Sequence, residues 1–463
     1  MVNFLLPITF FSKNYTNSIA ETTAMVAFPV FIFIILIQLF RFPERMAKVV
    51  PSQQAFLLGG LFWLFQLVAM FFSYQVTGET PITSGLLHST LTLITWTMTV
   101  YVAWAVIQVT VISTDDEVKF VRSGLLGLLF YLILVVFPQL TISLHIGALH
   151  GYVNELAHLF ERRWVSRDHY NFYTNGSYVA TSGRINGFEP EAAFLANLVG
   201  VVYLPILIGL TVTKKKIWKW TKTVKVDQTL NFFYALIIFS LLIFVKSTTG
   251  ILTAVVGCSL WLIWSKGGLR RTLGILTSLA ILVGLIAYLK IGFIHNLLNE
   301  FLFAKGGTDN RLGGSIGLFR TFLTHGLIGV GYGFTSYFTV QNVPAFTTHN
   351  FEFQQVYSQY GYPNLSDLLG WFAAFGLIIM VPAFFLLFRL VARTYFVKYR
   401  LAYLALSDEE KSWSRALIIA FMTMIVLAAF SSFFVIQVFL WPYLLMFFFY
   451  RRHILRLEQE IQK

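Results

Sequence analysis

Long apolar runs alternate with short charged segments along the chain, and this alternation limits the possible folds more than any other feature. A helix needs about 20 residues to cross the hydrocarbon core of a bilayer. Eleven runs are long enough, at 22–40, 54–74, 85–112, 124–141, 191–211, 228–245, 247–265, 272–289, 368–388, 416–434 and 436–450. We therefore expect an all-α polytopic membrane protein with about eleven transmembrane helices, or twelve if Met1–Phe11 also enters the membrane.

The composition supports this fold class. Of the 463 residues, 57% are hydrophobic and 12% are charged, whereas about a quarter are charged in soluble proteins. The single cysteine, Cys258, lies in an apolar run, so we expect no disulfide framework and no thiolate metal site. A net charge of +13 does not require a nucleic-acid partner, because basic loops on one face can contact anionic membrane lipid instead.

Basic residues occur mainly in alternate loops. They are concentrated at 41–48, 119–122, 214–225, 266–271, 389–411 and 451–463. The positive-inside rule then places the C-terminus in the cytoplasm, the N-terminus outside, and both long loops outside. The chain divides into an N-terminal bundle (1–289) with an outer loop (141–190), a large extracytoplasmic loop (290–365), and C-terminal helices with a cytoplasmic tail (366–463).

The predicted spans contain almost no ionisable side chains. His88 and Glu191 are the two within the span limits, and both lie near the outer ends. Ion-coupled transporters need such groups near the membrane midplane. The pattern therefore favours an enzyme whose chemistry lies in the outer loops.

Two stretches of the outer loops have helical apolar periodicity. One lies in 141–190 and includes Leu156 and Leu159, and the other is Ile291–Phe303. Such stretches predict amphipathic helices at the membrane surface. The alternative is that they pack on the bundle.

The large loop contains the densest group of hydrogen-bonding side chains. His349-Asn350 is followed by Gln354, Tyr357 and Tyr360. Amides pair with sugar hydroxyl groups and aromatic rings stack on pyranose faces, so this stretch is typical of a glycan-binding surface. Histidine, which titrates near neutral pH, is also suited to act as general base toward a hydroxyl group.

Two arginines stand in settings that suit phosphate binding. Arg184 precedes the fifth span between Gly183 and Gly187, and Arg311 follows Asn310 in the large loop. A guanidinium group binds phosphate through two parallel hydrogen bonds. The alternative for both is an anchor to lipid headgroups. No histidine spacing or Asp-x-Asp pattern indicates a metal site.

The order of these motifs resembles the O-antigen polymerase and ligase family, which includes capsular and exopolysaccharide polymerases. The motifs are Arg-x-x-Gly-x-x-x-Glu at 184–191, Asn-Arg at 310–311, Gly-x-Gly-x-Gly at 329–333 and His-Asn at 349–350. The resemblance covers about 183–388. Lys246 stands where the family often has arginine in a Ser-Arg-Gly turn.

The resemblance implies a metal-independent membrane glycosyltransferase without a cofactor. It would polymerise undecaprenyl-diphosphate-linked repeat units at the outer face of the bacterial cytoplasmic membrane. Arg184 and Arg311 would clamp the diphosphate, His349 would orient or deprotonate the acceptor hydroxyl group, and Glu189 would assist. The substrate-binding residues would be Asn310, Asn350, Gln354, Tyr357, Tyr360 and Lys246. A flippase and a chain-length regulator are the implied protein partners.

Two other functions stay open. A ligase would transfer the lipid-linked glycan to a lipid, protein or wall acceptor with the same donor chemistry. A glycolipid flippase or exporter would move the substrate without forming a bond.

Overall fold

The structure is a computed structural model that describes residues 1–13, 27–83, 85–163, 172–290, 292, 308–362, 364–433 and 439–462. The longer helices are α1 (Ala27–Arg41), α2 (Gln53–Thr77), α3 (Gly85–Thr110), α4 (Thr114–Ser143), α5 (His150–Phe160), α6 (Ala192–Thr213), α7 (Val224–Phe244), α8 (Thr248–Trp264), α9 (Gly267–Lys290), α10 (Thr308–Thr324), α11 (Thr335–Asn342), α12 (Asp367–Arg400), α13 (Asp408–Ser431) and α14 (Trp441–Gln462). Short helical turns lie at Val2–Phe4, Pro7–Phe10, Pro43–Arg45, Met46–Val49, Tyr178–Ser182, Ala345–Thr348, Phe353–Tyr357, Ser358–Tyr360 and Leu401–Tyr403.

These elements confirm the all-α polytopic membrane fold. In the described ranges no strand occurs, and the one pairing of extended backbone is an isolated bridge between Thr80 and Thr83. Each of the eleven predicted spans overlaps a helix. Eight of the described helices are long and apolar enough to cross a membrane.

Many of these helices begin directly after a residue whose side chain caps the first turn. Single caps are Ser52, Thr223, Ser247 and Ser366. Full capping boxes open α4, from Ser113 and Asp116, and α13, from Ser407 and Glu410. Because the caps satisfy N–H groups that a helix leaves unpaired at its start, α4 and α13 begin well before the apolar runs that predict them.

Prolines shape two helices without ending them. A π-helical segment, Leu132–Val136, precedes Pro138 in α4, and Leu198–Tyr203 precedes Pro205 in α6. A proline lacks an N–H group, and its ring clashes with the carbonyl group four residues earlier. The wider π turn accommodates both effects, so each helix continues past its proline.

The core is centred on α6, whose side chains are almost all buried. It packs most extensively against α13. Gly209 allows this close approach, since a Cβ atom there would lie 2.3 Å from the carbonyl oxygen of Ala416. In contrast, α9 exposes most of its apolar side chains, as expected for a helix that faces lipid.

The basic loops lie together at one end of the helices, which we call the basic end. Arg45 donates a hydrogen bond to the carbonyl oxygen of Val109 at 2.9 Å. Lys215 forms an ion pair with Glu409 at 2.6 Å. These contacts bring basic loops beside the ends of neighbouring helices, and the placement of this end on the cytoplasmic side stays a prediction from the positive-inside rule.

The two long loops lie at the opposite end, which we call the loop end. Its described residues include 144–163, 172–191, the start of α10 and 343–362. The first predicted amphipathic stretch forms α5, which buries Val153 and Ala157 and exposes Leu159. The second, Ile291–Phe303, lies outside the described residues.

Residues 1–13 run through the bundle between these two ends. At the basic end, Gln38 Nε2 lies 3.2 Å from Met1 Sδ, and Lys13 reaches α5 at the loop end. Gly124 leaves room for Leu6, because a Cβ atom at 124 would lie 2.6 Å from Leu6 Cδ1. The prediction that residue 1 lies on the face opposite the C-terminal tail is therefore wrong. Hydropathy missed this passage because the segment is shorter than the length criterion.

The large loop contains a helical hairpin that turns inside the bundle. The turn between α10 and α11 includes the Gly329–Gly333 run. It packs against the middle of α2, away from the ends of that helix. Ser73 Oγ donates to the carbonyl oxygen of Val330 at 2.6 Å, and Gln66 Oε1 accepts from the N–H of Tyr332 at 3.0 Å. Gln66 lies about 16 Å from the end of α2, at 1.5 Å per residue. Part of the stretch predicted as an outer loop thus enters the depth of the bundle.

This turn pairs with a break in α12. Gly376 has φ 63° and interrupts the helical hydrogen bonds. The turn donates to two carbonyl groups before the break and accepts from two N–H groups after it. The four bonds are Val330 N to Ala373 O, Gly331 N to Ala374 O, Leu377 N to Gly326 O and Ile378 N to Leu327 O, at 2.9, 2.9, 2.8 and 3.1 Å. Because unpaired backbone groups are costly at membrane depth, the turn and the broken helix stabilise each other.

Candidate functional site

Arg184 and Lys246 lie together at the loop end. Arg184 Nε donates to the carbonyl oxygen of Lys246 at 3.0 Å. Lys246 Nζ donates to the carbonyl oxygens of Ser143 and Gly183 at 3.2 and 3.3 Å. Both cations are half-buried and lie at the N-terminus of α8, whose dipole adds positive potential. The arrangement favours an anionic ligand.

Glu189 lies inside the protein and requires a correction to the predicted site. Its Oε1 atom forms an ion pair with Arg162 Nη1 at 2.6 Å, and the side chains are 3% and 5% exposed. Burial raises the pKa of the Glu189 carboxyl group above its ordinary value, although the guanidinium group acts in the opposite direction. An enclosed carboxylate cannot contact a substrate, so Glu189 has a structural role here instead of a catalytic one.

Arg162 connects four segments of the chain. Besides Glu189, it donates to the carbonyl oxygens of Thr9 and Ser12 at 2.8 and 3.0 Å. Its guanidinium carbon lies 3.6 Å from the centroid of the Phe439 ring. Arg162 therefore holds the segment before α6, which carries Arg184, against the N-terminal segment and the approach to α14.

Glu161 supports the same segment from its other side. It is fully buried, and its Oε1 atom accepts from Asn186 Nδ2 at 2.9 Å and from the N–H of Tyr178 at 3.1 Å. Its Oε2 atom accepts from Arg163 Nε at 3.0 Å. Burial raises the pKa of the Glu161 carboxyl group despite these bonds. The loop that presents Arg184 is thus held by buried polar groups.

A second polar network lies around Asn310. Asn310 is buried, and its Oδ1 atom accepts from Asn350 Nδ2 at 2.5 Å. Its Nδ2 atom donates to Glu352 Oε2 at 2.6 Å, and Tyr357 donates to Glu352 Oε1 at 2.6 Å. Tyr362 donates to the carbonyl oxygen of Asn310 at 2.5 Å. Three predicted sugar-binding residues, Asn310, Asn350 and Tyr357, are therefore bonded to one another or to Glu352.

Tyr362 is buried beside this network, and burial raises the pKa of its hydroxyl group above the ordinary value. The hydroxyl group therefore stays a neutral donor at physiological pH. Its ring packs on that of Tyr357 with centroids 4.5 Å apart. These two rings therefore give the network an apolar side.

The predicted reactive residues flank this network at the surface. Arg311 and His349 are both exposed, as are Gln354 and Tyr360. Arg311 directly follows Asn310, and His349 directly precedes Asn350. A cation, an imidazole group, an amide and an aromatic ring are thus accessible on a surface whose base is held by hydrogen bonds. The hydrogen bonds of Arg184 and Lys246 lie elsewhere at the loop end, with the carbonyl oxygens of Lys246, Ser143 and Gly183.

An open cavity of about 470 Å³ lies beside the hairpin turn. This volume lies in the range of about 300–1,000 Å³ that is usual for ligand pockets. It is lined by Ala69, Phe72, Ser73, Val76, residues 324–329 and Phe338. Phe72 and Leu327 are each 64% exposed, so the cavity opens sideways between α2 and the hairpin. His325 is the ionisable group in its lining, and its ring packs on Phe338 with centroids 4.8 Å apart.

Two residues that organise the site were missed in the sequence. Arg162 belongs to a charged group that reads as the polar face of an amphipathic helix. Glu352 is the one acidic residue in 310–362, and that isolation in a polar loop is the signal that could have identified it. Within the described residues, no group of three or more His, Cys, Asp or Glu side chains could hold a metal ion.

The chain matches no protein-family model and no curated protein sequence. The resemblance in its motifs is therefore a hypothesis about function.

Proposed function

We propose that this protein polymerises lipid-linked oligosaccharide repeat units at the outer face of a bacterial cytoplasmic membrane. The observation that carries the proposal is that exposed Arg311 and His349 directly neighbour Asn310 and Asn350, which hydrogen-bond each other. Arg184 and Lys246 add a second cationic site at the same end of the bundle. Diphosphate and sugar hydroxyl groups are the chemistry that these side chains would recognise.

In the proposed reaction, an acceptor hydroxyl oxygen attacks the anomeric carbon of the donor glycan. The new glycosidic bond forms as the bond from that carbon to the diphosphate oxygen breaks. His349 takes the hydroxyl proton, and the lipid diphosphate leaves with the bonding electron pair. Arg311 and Arg184 stabilise the negative charge that develops on the leaving group, an effect that is strong where water is scarce.

The lateral cavity supports a substrate with an apolar chain. Its lining is mainly aliphatic and aromatic, and it opens toward the side of the bundle, where a transmembrane helix such as α2 meets lipid. A polyprenyl chain could enter there from the bilayer while its diphosphate lies nearer the loop end. The chain-binding part of the site would then be formed by α2 and the hairpin.

The test uses purified protein and undecaprenyl-diphosphate-linked repeat units, with chain growth followed by gel electrophoresis. Arg311→Lys keeps the charge but loses the planar pair of donors. A hydrogen bond to a charged group contributes about 1.5–3 kcal/mol, so we expect the rate to fall tenfold or more. Arg320→Lys is the matched control on the same helix, since Arg320 is exposed and bonds the carbonyl oxygen of Asn342. Equal rates for the two variants would remove Arg311 from the mechanism.

His349→Ala tests the general base in the same assay. Loss of a positioned base typically lowers a rate by about 10²–10⁴-fold. A rate unchanged by this substitution would contradict the proposed role of His349.

Single repeat units accumulating in cells that lack the protein would favour the polymerase, whereas long chains retained on the carrier would favour a ligase.

A glycolipid flippase or exporter is the second candidate, and one observation favours it. Transporters often bind substrates at discontinuous helices near the membrane midplane, and α12 is broken at Gly376 where the hairpin turn meets it. Liposomes containing the protein and lipid-linked oligosaccharide separate the two cases. Substrate that changes leaflet without chain growth would support transport.

A further inference from the structure

Glu352 links the two segments that carry the proposed reactive groups. Its half-buried carboxylate accepts one hydrogen bond from Asn310 Nδ2 and one from the Tyr357 hydroxyl group, each at 2.6 Å. Asn310 lies one residue before Arg311, and Glu352 lies three residues after His349. The bond between Glu352 and Asn310 therefore joins the first turn of α10 to the segment that follows His349.

The chemistry of the network fixes the orientation of both amide side chains. The N–H of Phe353 can only donate, and it bonds Asn350 Oδ1 at 2.7 Å, so Asn350 Nδ2 is the atom that faces Asn310. The Asn310 oxygen accepts that bond, which leaves its Nδ2 atom to face the carboxylate. Rotating either amide group by 180° would set two donors or two acceptors against each other.

The first turn of α10 needs such support. The first N–H groups of a helix have no partner within it, so helix ends fray unless other contacts hold them. Charge-assisted bonds are roughly twice as strong as neutral ones, and they anchor Asn310 here. Arg311, the next residue, is exposed, so its position depends on how firmly this turn is held.

We propose that Glu352 is a positioning residue that sets Arg311 relative to His349. The inference rests on the proposed function of those two residues. It requires no contact between Glu352 and the substrate. A merely structural carboxylate would change stability, whereas a positioning carboxylate changes the distance between the two segments and the turnover rate together.

The first measurement does not depend on activity. Spin labels at Leu312→Cys and Phe351→Cys, which are 57% and 74% exposed in the native chain, report the distance between the segments in a Cys258→Ser background. We expect a narrow distance distribution that Glu352→Ala broadens. Glu352→Gln should keep it narrow, because glutamine can accept from Asn310 and donate to the Tyr357 oxygen. Gln359→Ala, an exposed change in the same segment, should have no effect.

The second measurement follows chain growth from lipid-linked repeat units. Misplacement of a reacting group by about 1 Å can cost about 100-fold in rate. We therefore expect Glu352→Ala to lower kcat by up to that factor, with KM within about twofold because the exposed groups remain. Glu352→Gln should recover most of the wild-type kcat. If Glu352→Ala does not fold, Tyr357→Phe removes one of the two bonds and should give intermediate broadening.

The outcomes separate this inference from the proposed function. An unchanged distance distribution in Glu352→Ala would overturn the positioning role, and so would a glutamine variant that is folded but as slow as alanine. If the distances respond as expected but the wild-type protein extends no chain, the network stands and the proposed function fails.

Discussion

Buried and exposed charges have different roles at the loop end. Arg162 and Glu189 are enclosed and paired, so their contribution is to hold segments together. Arg311 and His349 are exposed and can meet a ligand. The sequence predicted that Glu189 acts together with the exposed residues, because it lies in the same motif as Arg184. The structure separates them, since the chain turns inward after Arg184 and buries residues 185–190.

The buried pair predicts a large effect of one substitution. Arg162→Met leaves the Glu189 carboxylate buried without its counter-charge, and removing one partner of a buried pair costs about 3–5 kcal/mol. We expect a correspondingly lower thermal unfolding temperature in detergent. The double variant Arg162→Met/Glu189→Gln should recover part of the loss, because it removes the isolated charge.

Arg320→Met is the control for this prediction. Arg320 is exposed, and surface substitutions usually change stability by about 0.5 kcal/mol or less. If Arg162→Met destabilised the protein no more than this control, the pair would not hold these segments together.

At the level of elements, the hairpin and the broken helix depend on each other. The Gly329–Gly333 run has no apolar periodicity, so the sequence predicts a turn but not its depth. The depth follows from α12, whose break leaves backbone groups that the hairpin turn satisfies with four hydrogen bonds. Gly329 and Gly376 meet at this contact, where a Cβ atom on Gly376 would lie 2.5 Å from the backbone nitrogen of Gly329.

Gly376→Ala should therefore disrupt the hairpin. The residue has φ 63°, and the added carbon has no space. Backbone strain and overpacking each cost about 1–3 kcal/mol, so we expect the free energy of unfolding, measured by thermal unfolding, to fall by about 2–6 kcal/mol. The same variant should expose residues 326–331 to hydrogen exchange.

Gly274→Ala in α9 is the matched control. A Cβ atom at 274 meets nothing within 4 Å, and alanine favours a helix over glycine by about 1 kcal/mol. The substitution should be neutral or slightly stabilising. Equal losses for the two variants would show that the glycine contact in α12 is not specific.

The two ends of the whole molecule differ in the charge of their loops and in the chain segments that meet there. The basic loops lie together, and the long loops lie at the other end with the candidate site. Met1 lies beside Gln38, near Arg45, so the beginning and the end of the described chain share the basic end.

Cysteine labelling tests this arrangement in a Cys258→Ser background. With a membrane-impermeant maleimide, Tyr152→Cys and Phe351→Cys should react in intact cells, because both positions are exposed at the loop end. Tyr403→Cys and Asn3→Cys, also exposed, should react only after the membrane is opened. Labelling of Asn3→Cys in intact cells would contradict the path of the N-terminal segment described above.

The sequence by itself determined the class of fold and the position of most of the long helices, and it predicts how the loops are sorted between two faces. Hydropathy and charge are sums over local stretches of about 20 residues, so no knowledge of distant contacts is needed to read them. The same holds for the capping residues that set the starts of α4 and α13.

Only the tertiary structure decided which polar side chains are enclosed, how deep the hairpin reaches and where residues 1–13 run. Arg162 bonds Glu189 and Thr9, which are 27 and 153 residues away in the chain. Asn310 bonds Glu352 across 42 residues. Which distant residues become partners depends on how the helices pack. A buried polar group is stable only beside the particular atoms that satisfy its hydrogen bonds.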